Sequence, residues 1–162
     1  MITEILPRKS CAKCRICCVF DREDSWEMPL IEPELAALIK EEHPNVKMKK
    51  TGENSRCMIF DAEYDEKGLS RCPMLTENGC GLGDDKPFDC RIWPFRIMRR
   101  GDCLLLTLSP VCETVSNLPA DKISAFVAGI SDRIFKEAER NPEMIKEYID
   151  GYPVFDVRTV DK

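Results

Sequence analysis

The chain has 162 residues, of which 43% are hydrophobic and 33% are charged, and its formal net charge is -5. This length and apolar content fit one globular domain that can bury a core without disulfide staples. The negative charge offers no attraction for nucleic acid or an acidic membrane surface, so neither is expected as a partner. Because no apolar run is long enough to cross a bilayer and the N-terminal one soon meets Pro7, we expect a cytoplasmic protein.

The predicted elements begin with a cysteine-bearing segment, residues 1–22, and continue with a helix in IEPELAALIKEEH. Pro33 suits the first turn of this helix, and Pro44 ends it. Two hairpins are predicted next. The first runs through RCMIFDAEYDEKGLSRCPML with its turn at Asp65–Gly68, and the second runs through FRIMRRGDCLLLTL with its turn at Gly101–Asp102.

The rest of the chain divides into an irregular loop and a helical end. Between the hairpins lies the loop TENGCGLGDDKPFDCRIWPF, which is rich in Gly, Pro and Asp. A loop of this length needs contacts that hold it together, and two of its residues are cysteines. From Pro119 the apolar spacing becomes helical, Asn141 and Pro142 break this helix, and PEMIKEYI begins a second one. The pattern predicts a small single α+β domain over residues 1–162, in which short hairpins and irregular cysteine-rich loops surround a metal centre and C-terminal helices, at about 117–150, pack on them.

The cysteines are the main chemical feature, because the chain has ten of them and one histidine. In CAKCRICC, residues 11–18, two overlapping C-x2-C pairs have the spacing that lets two sulfurs bind one cation. A reducing compartment favours metal ligands or reactive thiols, and disulfides are the alternative. Adjacent side chains point in different directions, so Cys17 and Cys18 are not expected to bind one metal equally well. One of them is then available for a second metal or for a different edge of a cluster.

The ligand set is expected to consist of sulfur alone. His43 has no cysteine near it in the sequence, and Cys57 and Cys103 lie in apolar runs where cysteine behaves as a small hydrophobe. Thiolate ligands suit either zinc or an iron–sulfur cluster and disfavour magnesium, calcium and manganese. The sequence leaves the choice between zinc and iron open.

The chain contains CAKCRICC followed by CPMLTENGCGLGDDKPFDCRIWPF. This pattern resembles that of the CxxCxxCC cysteine-cluster proteins, the YkgJ-like family described as zinc- or iron-chelating domains. The likeness covers about residues 11–112, and it departs from the family pattern at Lys86, where the family has arginine, and at Trp93, where it has phenylalanine. It implies a metal core over this range. The metal ligands that the resemblance implies are Cys11, Cys14, Cys17, Cys18, Cys72, Cys80, Cys90 and Cys112.

Three functions are compatible with this pattern. The first is a metal-binding protein that acts in storage, delivery or partner recognition. The second, implied by the related flagellin lysine-N-methylases, is an iron–sulfur-dependent methyltransferase that uses S-adenosylmethionine on a protein substrate. The third is a small electron-transfer protein. Whether the chain is an enzyme is left open, and no catalytic residue is assigned.

The sequence CRIWPF offers two candidate cofactor contacts. Arg91 can donate hydrogen bonds to a cluster or a carboxylate, and Trp93 can line a cofactor pocket. The alternative is structural: Arg91 pairs with a nearby acid such as Asp84 or Asp89, and the aromatic rings belong to the core.

Overall fold

The computed structural model describes residues 2–23 and 25–160, and the chain divides into two compact units. The cysteine unit comprises Arg8–Arg91, and the sheet unit comprises Ile92–Lys162 together with Met1–Pro7. Helices and short strands occur in both, which confirms the predicted α+β class. Within the described part of the chain, no helix is both long enough and apolar enough to cross a membrane.

The cysteine unit begins and ends with short helices. Helix α1 spans Arg8–Cys14, and a 3₁₀ turn at Ile16–Cys18 follows it. Arg15, which joins them, has a φ of 59°, in the left-handed region that residues with side chains seldom adopt. This conformation ends helix α1 before the 3₁₀ turn that carries Cys17 and Cys18.

Helix α2 spans Pro33–Glu42 and confirms the helix predicted from IEPELAALIKEEH. Pro33 takes the first helical position, where its missing N–H costs no hydrogen bond. The buried face of α2 packs into the hydrophobic core of the unit, which removes apolar surface from water. The core residues are Ile31, Ala36, Ile39, Phe60 and Met74.

The strands of the cysteine unit form three small antiparallel sheets of two strands each. The pairs are β1 (Val19–Asp21) with β4 (Leu69–Arg71), β2 (Met48–Lys50) with β3 (Met58–Phe60), and β5 (Leu75–Thr76) with β6 (Gly79–Cys80). The unit closes with helix α3, Phe88–Ile92, whose last residue lies across the unit boundary.

The first predicted hairpin is wrong, although its turn forms. The backbone N–H groups of Lys67 and Leu69 both donate to Asp65 Oδ1 at 2.9 Å. The strands on either side have other partners, because β3 pairs with β2 on one edge and its Met58 exchanges backbone hydrogen bonds with Ile31 on the other. Strand β4 instead pairs with β1.

The sheet unit contains one four-stranded sheet. Its strands are β7 (Phe95–Arg100), β8 (Cys103–Leu108), β9 (Lys146–Glu147) and β10 (Val154–Thr159), in the order β10, β8, β7, β9. Strands β7 and β8 form the second predicted hairpin, with Gly101 in its turn at a φ of +59°. Glycine suits this position because a Cβ would be strained there.

Two helices precede β9 in the sheet unit: α4, Glu113–Ser116, and α5, Ala120–Arg140. Helix α5 packs on β7 and β10 and confirms the long helix predicted to begin near Pro119. The second helix predicted from PEMIKEYI is wrong, because Pro142–Met144 forms a 3₁₀ turn and β9 pairs in parallel with β7. So short a helix is marginal in water, whereas the sheet edge supplies backbone partners.

Candidate metal centre

The backbone of the cysteine unit places three predicted ligands next to one another. Cys72 donates its N–H to the carbonyl of Cys18 at 2.8 Å, one position beyond the ladder of β1 and β4. Leu75 donates to the carbonyl of Cys72 at 3.0 Å and pairs with Cys80 across β5 and β6. Cys72 and Cys80 also pack against the hydrophobic core, so the core holds this part of the site.

Helix α1, which carries two more predicted ligands, contacts the hairpin of β5 and β6. The Arg15 guanidinium donates to the carbonyl of Glu77 at 2.7 Å. Arg8 forms an ion pair with Asp84, in the loop after the hairpin. These contacts join the N-terminal cysteine segment to the irregular loop, although the two are more than sixty residues apart in sequence.

The Sγ atoms of Cys17 and Cys18 lie 3.9 Å apart. The expectation that these adjacent side chains diverge is therefore wrong. It assumed a regular helix or strand, whereas here the 3₁₀ turn ends at Cys18 and β1 begins at once. Two thiolates on one tetrahedral zinc, with zinc–sulfur bonds of about 2.3 Å, lie about 3.8 Å apart. The separation is thus close to that of two sulfurs sharing an ion.

The adjacent thiols of Cys17 and Cys18 have opposite pKa shifts. Their mutual hydrogen bond raises the pKa of Cys17 and lowers that of Cys18, since the Cys17 proton stabilises the Cys18 thiolate. Burial also raises the Cys17 pKa, and the Lys86 ammonium further lowers the Cys18 pKa. Cys18 is therefore the thiol of the pair that ionises first.

Burial is the main cause of the raised pKa of both Cys72 and Cys90. It raises the pKa of Cys72 to about 12, although backbone N–H groups of Met74 and Leu75 partly offset it. Burial also raises the pKa of Cys90, on α3, well above its ordinary value, and the adjacent Asp89 carboxylate adds to this shift. Both thiols keep their protons at neutral pH unless a cation replaces them.

Electrostatic interactions between thiols connect six of the predicted ligands. Cys17 interacts with Cys11, Cys18 and Cys90, and Cys90 also interacts with Cys18, Cys72 and Cys80. We call this set the thiol cluster: Cys11, Cys17, Cys18, Cys72, Cys80 and Cys90.

The other cysteines have different surroundings. Cys14, the seventh predicted ligand, is exposed at the end of α1, and Cys112, the eighth, is buried at the N-cap of α4 in the sheet unit. Cys57 is buried, as expected for a cysteine in an apolar run, whereas Cys103 on β8 is half-buried. The exposed His43 caps the end of α2.

The donor chemistry of the thiol cluster fits a thiophilic metal, because it supplies only soft sulfur. In residues 2–23 and 25–160 no disulfide forms, so the ten cysteines are all thiols. Across these same residues, no three cysteine, histidine or acidic side chains meet in a geometry that holds a metal ion. The thiols of the cluster lie in the cysteine unit, without forming a coordination shell.

The structure places Arg91 and Trp93 in packed surroundings. The Arg91 guanidinium lies 3.9 Å from Glu32 Oε1 and 5.5 Å from the centre of the Phe88 ring. The Trp93 ring is buried in the sheet unit, with the Arg96 guanidinium 4.9 Å from its centre. Each side chain packs against a neighbour in its own unit, and the predicted cofactor contacts stay a prediction.

The acids named in the structural alternative for Arg91 have other partners. Asp84 pairs with Arg8, and Asp89 accepts the backbone N–H of Leu30 at 3.0 Å.

Sequence reasoning did not connect Lys86 or Asp89 to the cysteines, whereas in the structure their charges act on Cys18 and Cys90. The available signal was their position, since both stand in KPFDC within four residues of Cys90.

Comparison with known proteins finds no matching family model, no matching curated protein and no matching solved structure. The resemblance to the cysteine-cluster family therefore rests on the spacing of the motifs, and the metal binding that it implies remains a prediction.

Proposed function

We propose that the thiol cluster binds a thiophilic metal, as zinc or as an iron–sulfur cluster held by cysteine thiolates. One observation carries the proposal: the sulfurs of Cys17 and Cys18 lie 3.9 Å apart, a backbone hydrogen bond joins Cys72 to Cys18 in the same unit, and these thiols form no disulfide. Thiols packed this closely repel one another when they ionise, and a bound cation removes that repulsion.

Metal binding would draw together thiols that lie in the same unit. Cys18, Cys72 and Cys80 are held by backbone hydrogen bonds and strand pairing, so they need little main-chain movement. Metal binding and folding of the unit are then coupled, as in other cysteine-ligated centres.

Metal analysis of the purified protein tests this proposal. We would isolate the chain without oxygen and measure zinc, iron, acid-labile sulfide and the visible spectrum. Zinc in a colourless protein, or iron with sulfide in a brown one, supports the proposal. A spectral change on adding S-adenosylmethionine to a brown protein would favour the methyltransferase hypothesis. Absence of metal, even after reconstitution with zinc or with iron and sulfide, refutes thiolate metal binding.

Matched cysteine variants locate the site. Cys80→Ser is expected to lower the bound metal at least tenfold at a fixed chelator concentration, because oxygen is a poor replacement for a thiolate ligand. Cys103→Ser, on β8 of the sheet unit, is the control and retains wild-type metal. Far-ultraviolet circular dichroism checks that both variants fold. Equal metal content in the two variants would remove Cys80 from the site.

A further inference from the structure

Two adjacent thiols in the cysteine unit lie close enough to react with each other. The Sγ atoms of Cys17 and Cys18 are 3.9 Å apart and share a hydrogen bond. Both residues are half-buried and reduced, so solvent reaches part of each of them. A disulfide needs a sulfur–sulfur bond of about 2.05 Å, and the two sulfurs therefore have to approach each other by only about 1.9 Å.

Cys18 has a second neighbouring cysteine, Cys72, on the strand opposite. The Cys72 N–H donates to the Cys18 carbonyl at 2.8 Å, one position beyond the ladder of β1 and β4. At such a hydrogen-bonded position of an antiparallel pair, the Cβ atoms lie at the wide end of a range of about 4.5–5.5 Å. A disulfide holds its Cβ atoms about 3.5–4.5 Å apart. This position therefore disfavours a bond between Cys18 and Cys72, and Cys17 is the better-placed partner.

A disulfide between consecutive residues is strained, and strain makes it reversible. Consecutive Cα atoms joined by a trans peptide are about 3.8 Å apart, whereas the Cα atoms of disulfide-bonded cysteines are usually about 4.4–6.8 Å apart. Strained disulfides are reduced more easily than relaxed ones, and they are typical of regulatory rather than structural bonds. A bond between Cys17 and Cys18 would therefore reopen in the presence of a thiol reductant.

We propose that Cys17 and Cys18 are an oxidation site, which a peroxide converts to a reversible disulfide between the two adjacent residues. One sulfur attacks the O–O bond of hydrogen peroxide and becomes a sulfenic acid, and the other oxygen leaves as water. The second sulfur then attacks the sulfenic acid sulfur and displaces a second water. In total the two thiols lose two electrons and two protons, and one peroxide is reduced to two water molecules.

Oxidation and metal binding compete for these two sulfurs. The thiolate is the form of cysteine that binds a metal, and a sulfur in a disulfide is no longer a thiolate. Metal held by Cys17 and Cys18 therefore protects them from peroxide, and their oxidation removes two donors from the thiol cluster. This link to metal rests on the proposed function. The oxidation site itself does not, because it concerns the metal-free chain.

Tryptic peptides distinguish the two possible partners of Cys18. Cleavage after Arg15 and Arg22 gives ICCVFDR, which contains Cys17 and Cys18, whereas Cys72 lies in the peptide of residues 72–91. The reduced, metal-free chain is treated with hydrogen peroxide, its remaining thiols are alkylated, and the digest is analysed by mass spectrometry. We expect ICCVFDR to be unalkylated, unlinked and lighter than its reduced form by two hydrogen atoms. Treatment with dithiothreitol before alkylation should restore two alkylated thiols.

Matched variants and metal loading complete the test. Cys14→Ser, at an exposed thiol, should form the same disulfide, whereas Cys17→Ser should leave ICSVFDR without it. Alkylation of both thiols after peroxide, a link between residues 16–22 and 72–91, or oxidation that dithiothreitol does not reverse would each overturn the oxidation site.

Metal content is measured separately, so the two proposals can fail independently. Zinc-loaded wild type should keep both thiols of ICCVFDR reduced under the same peroxide treatment, and equal oxidation with and without zinc would overturn the competition. A chain that forms the disulfide but binds no metal refutes the proposed function and supports the oxidation site. A chain that binds metal but forms no such disulfide does the reverse.

Discussion

Burial of Cys72 makes the metal-free protein sensitive to alkaline pH. Burial is the main reason that the pKa of this thiol rises from 9.0 to about 12, and the neighbouring Cys18 and Cys80 thiols add to it. In the unfolded chain Cys72 ionises near its ordinary pKa. Above that pH the unfolded state has lost a proton that the folded state retains, so the free energy of unfolding falls as pH rises.

The size of this effect follows from the two pKa values. Each pH unit between them removes about 1.4 kcal/mol of stability, so the whole interval from 9.0 to about 12 corresponds to about 4 kcal/mol. Between about pH 9 and about pH 10.5, ionisation of Cys72 in the unfolded chain alone should lower the free energy of unfolding by about 2 kcal/mol. Cys72→Ala removes the titrating group. The free energy of unfolding of wild type minus that of the variant should therefore fall by about 2 kcal/mol between about pH 9 and about pH 10.5.

Urea unfolding followed by circular dichroism measures this difference. Both proteins are kept reduced and free of metal by a phosphine and a chelator, and unfolding curves are recorded at several pH values. The variant also loses packing, so only the pH dependence of the difference is diagnostic. A difference that stays constant or grows with pH would refute the reasoning. Zinc-saturated wild type should not lose this stability, because a metal-bound thiolate no longer takes up a proton.

Three further predictions concern the fold. Ile39→Ala, at a fully buried position of the core, should cost about 2–5 kcal/mol in urea unfolding, and a loss below about 1 kcal/mol would contradict its packing. Gly101→Ala should cost about 1 kcal/mol or more because of its positive φ, whereas Gly101→Asn should cost less; equal losses would argue against strain. Arg158→Ala should destabilise the sheet unit more than Asp132→Asn, because it loses the contact with the Phe135 ring at 4.2 Å as well as the exposed ion pair. Equal losses of the two variants in thermal unfolding would show that the ring contact contributes nothing.

The sequence correctly predicted the helices and the hairpin that depend only on the spacing of apolar residues or on the turn residues within that segment. Helix α5 follows from apolar spacing, and α2 from similar spacing between two prolines. The hairpin of β7 and β8 follows from its two-residue turn at Gly101 and Asp102. Predictions failed where the partner is remote in sequence, because β3 and β4 take partners before them in the chain and β9 joins the edge of the sheet.

The same division holds for the candidate site. The sequence alone shows which residues can offer sulfur as a metal ligand, because ligand type is a property of the side chain, and its prediction that imidazole plays little part stays a prediction. Tertiary structure decided which thiols come together, since strand pairing joins Cys72 to Cys18 while helix α1 leaves Cys14 exposed. It also decided the 3.9 Å separation of Cys17 and Cys18, which depends on a 3₁₀ turn that no residue pattern announces. Donor chemistry is local, whereas distances between donors depend on contacts between residues far apart in the chain.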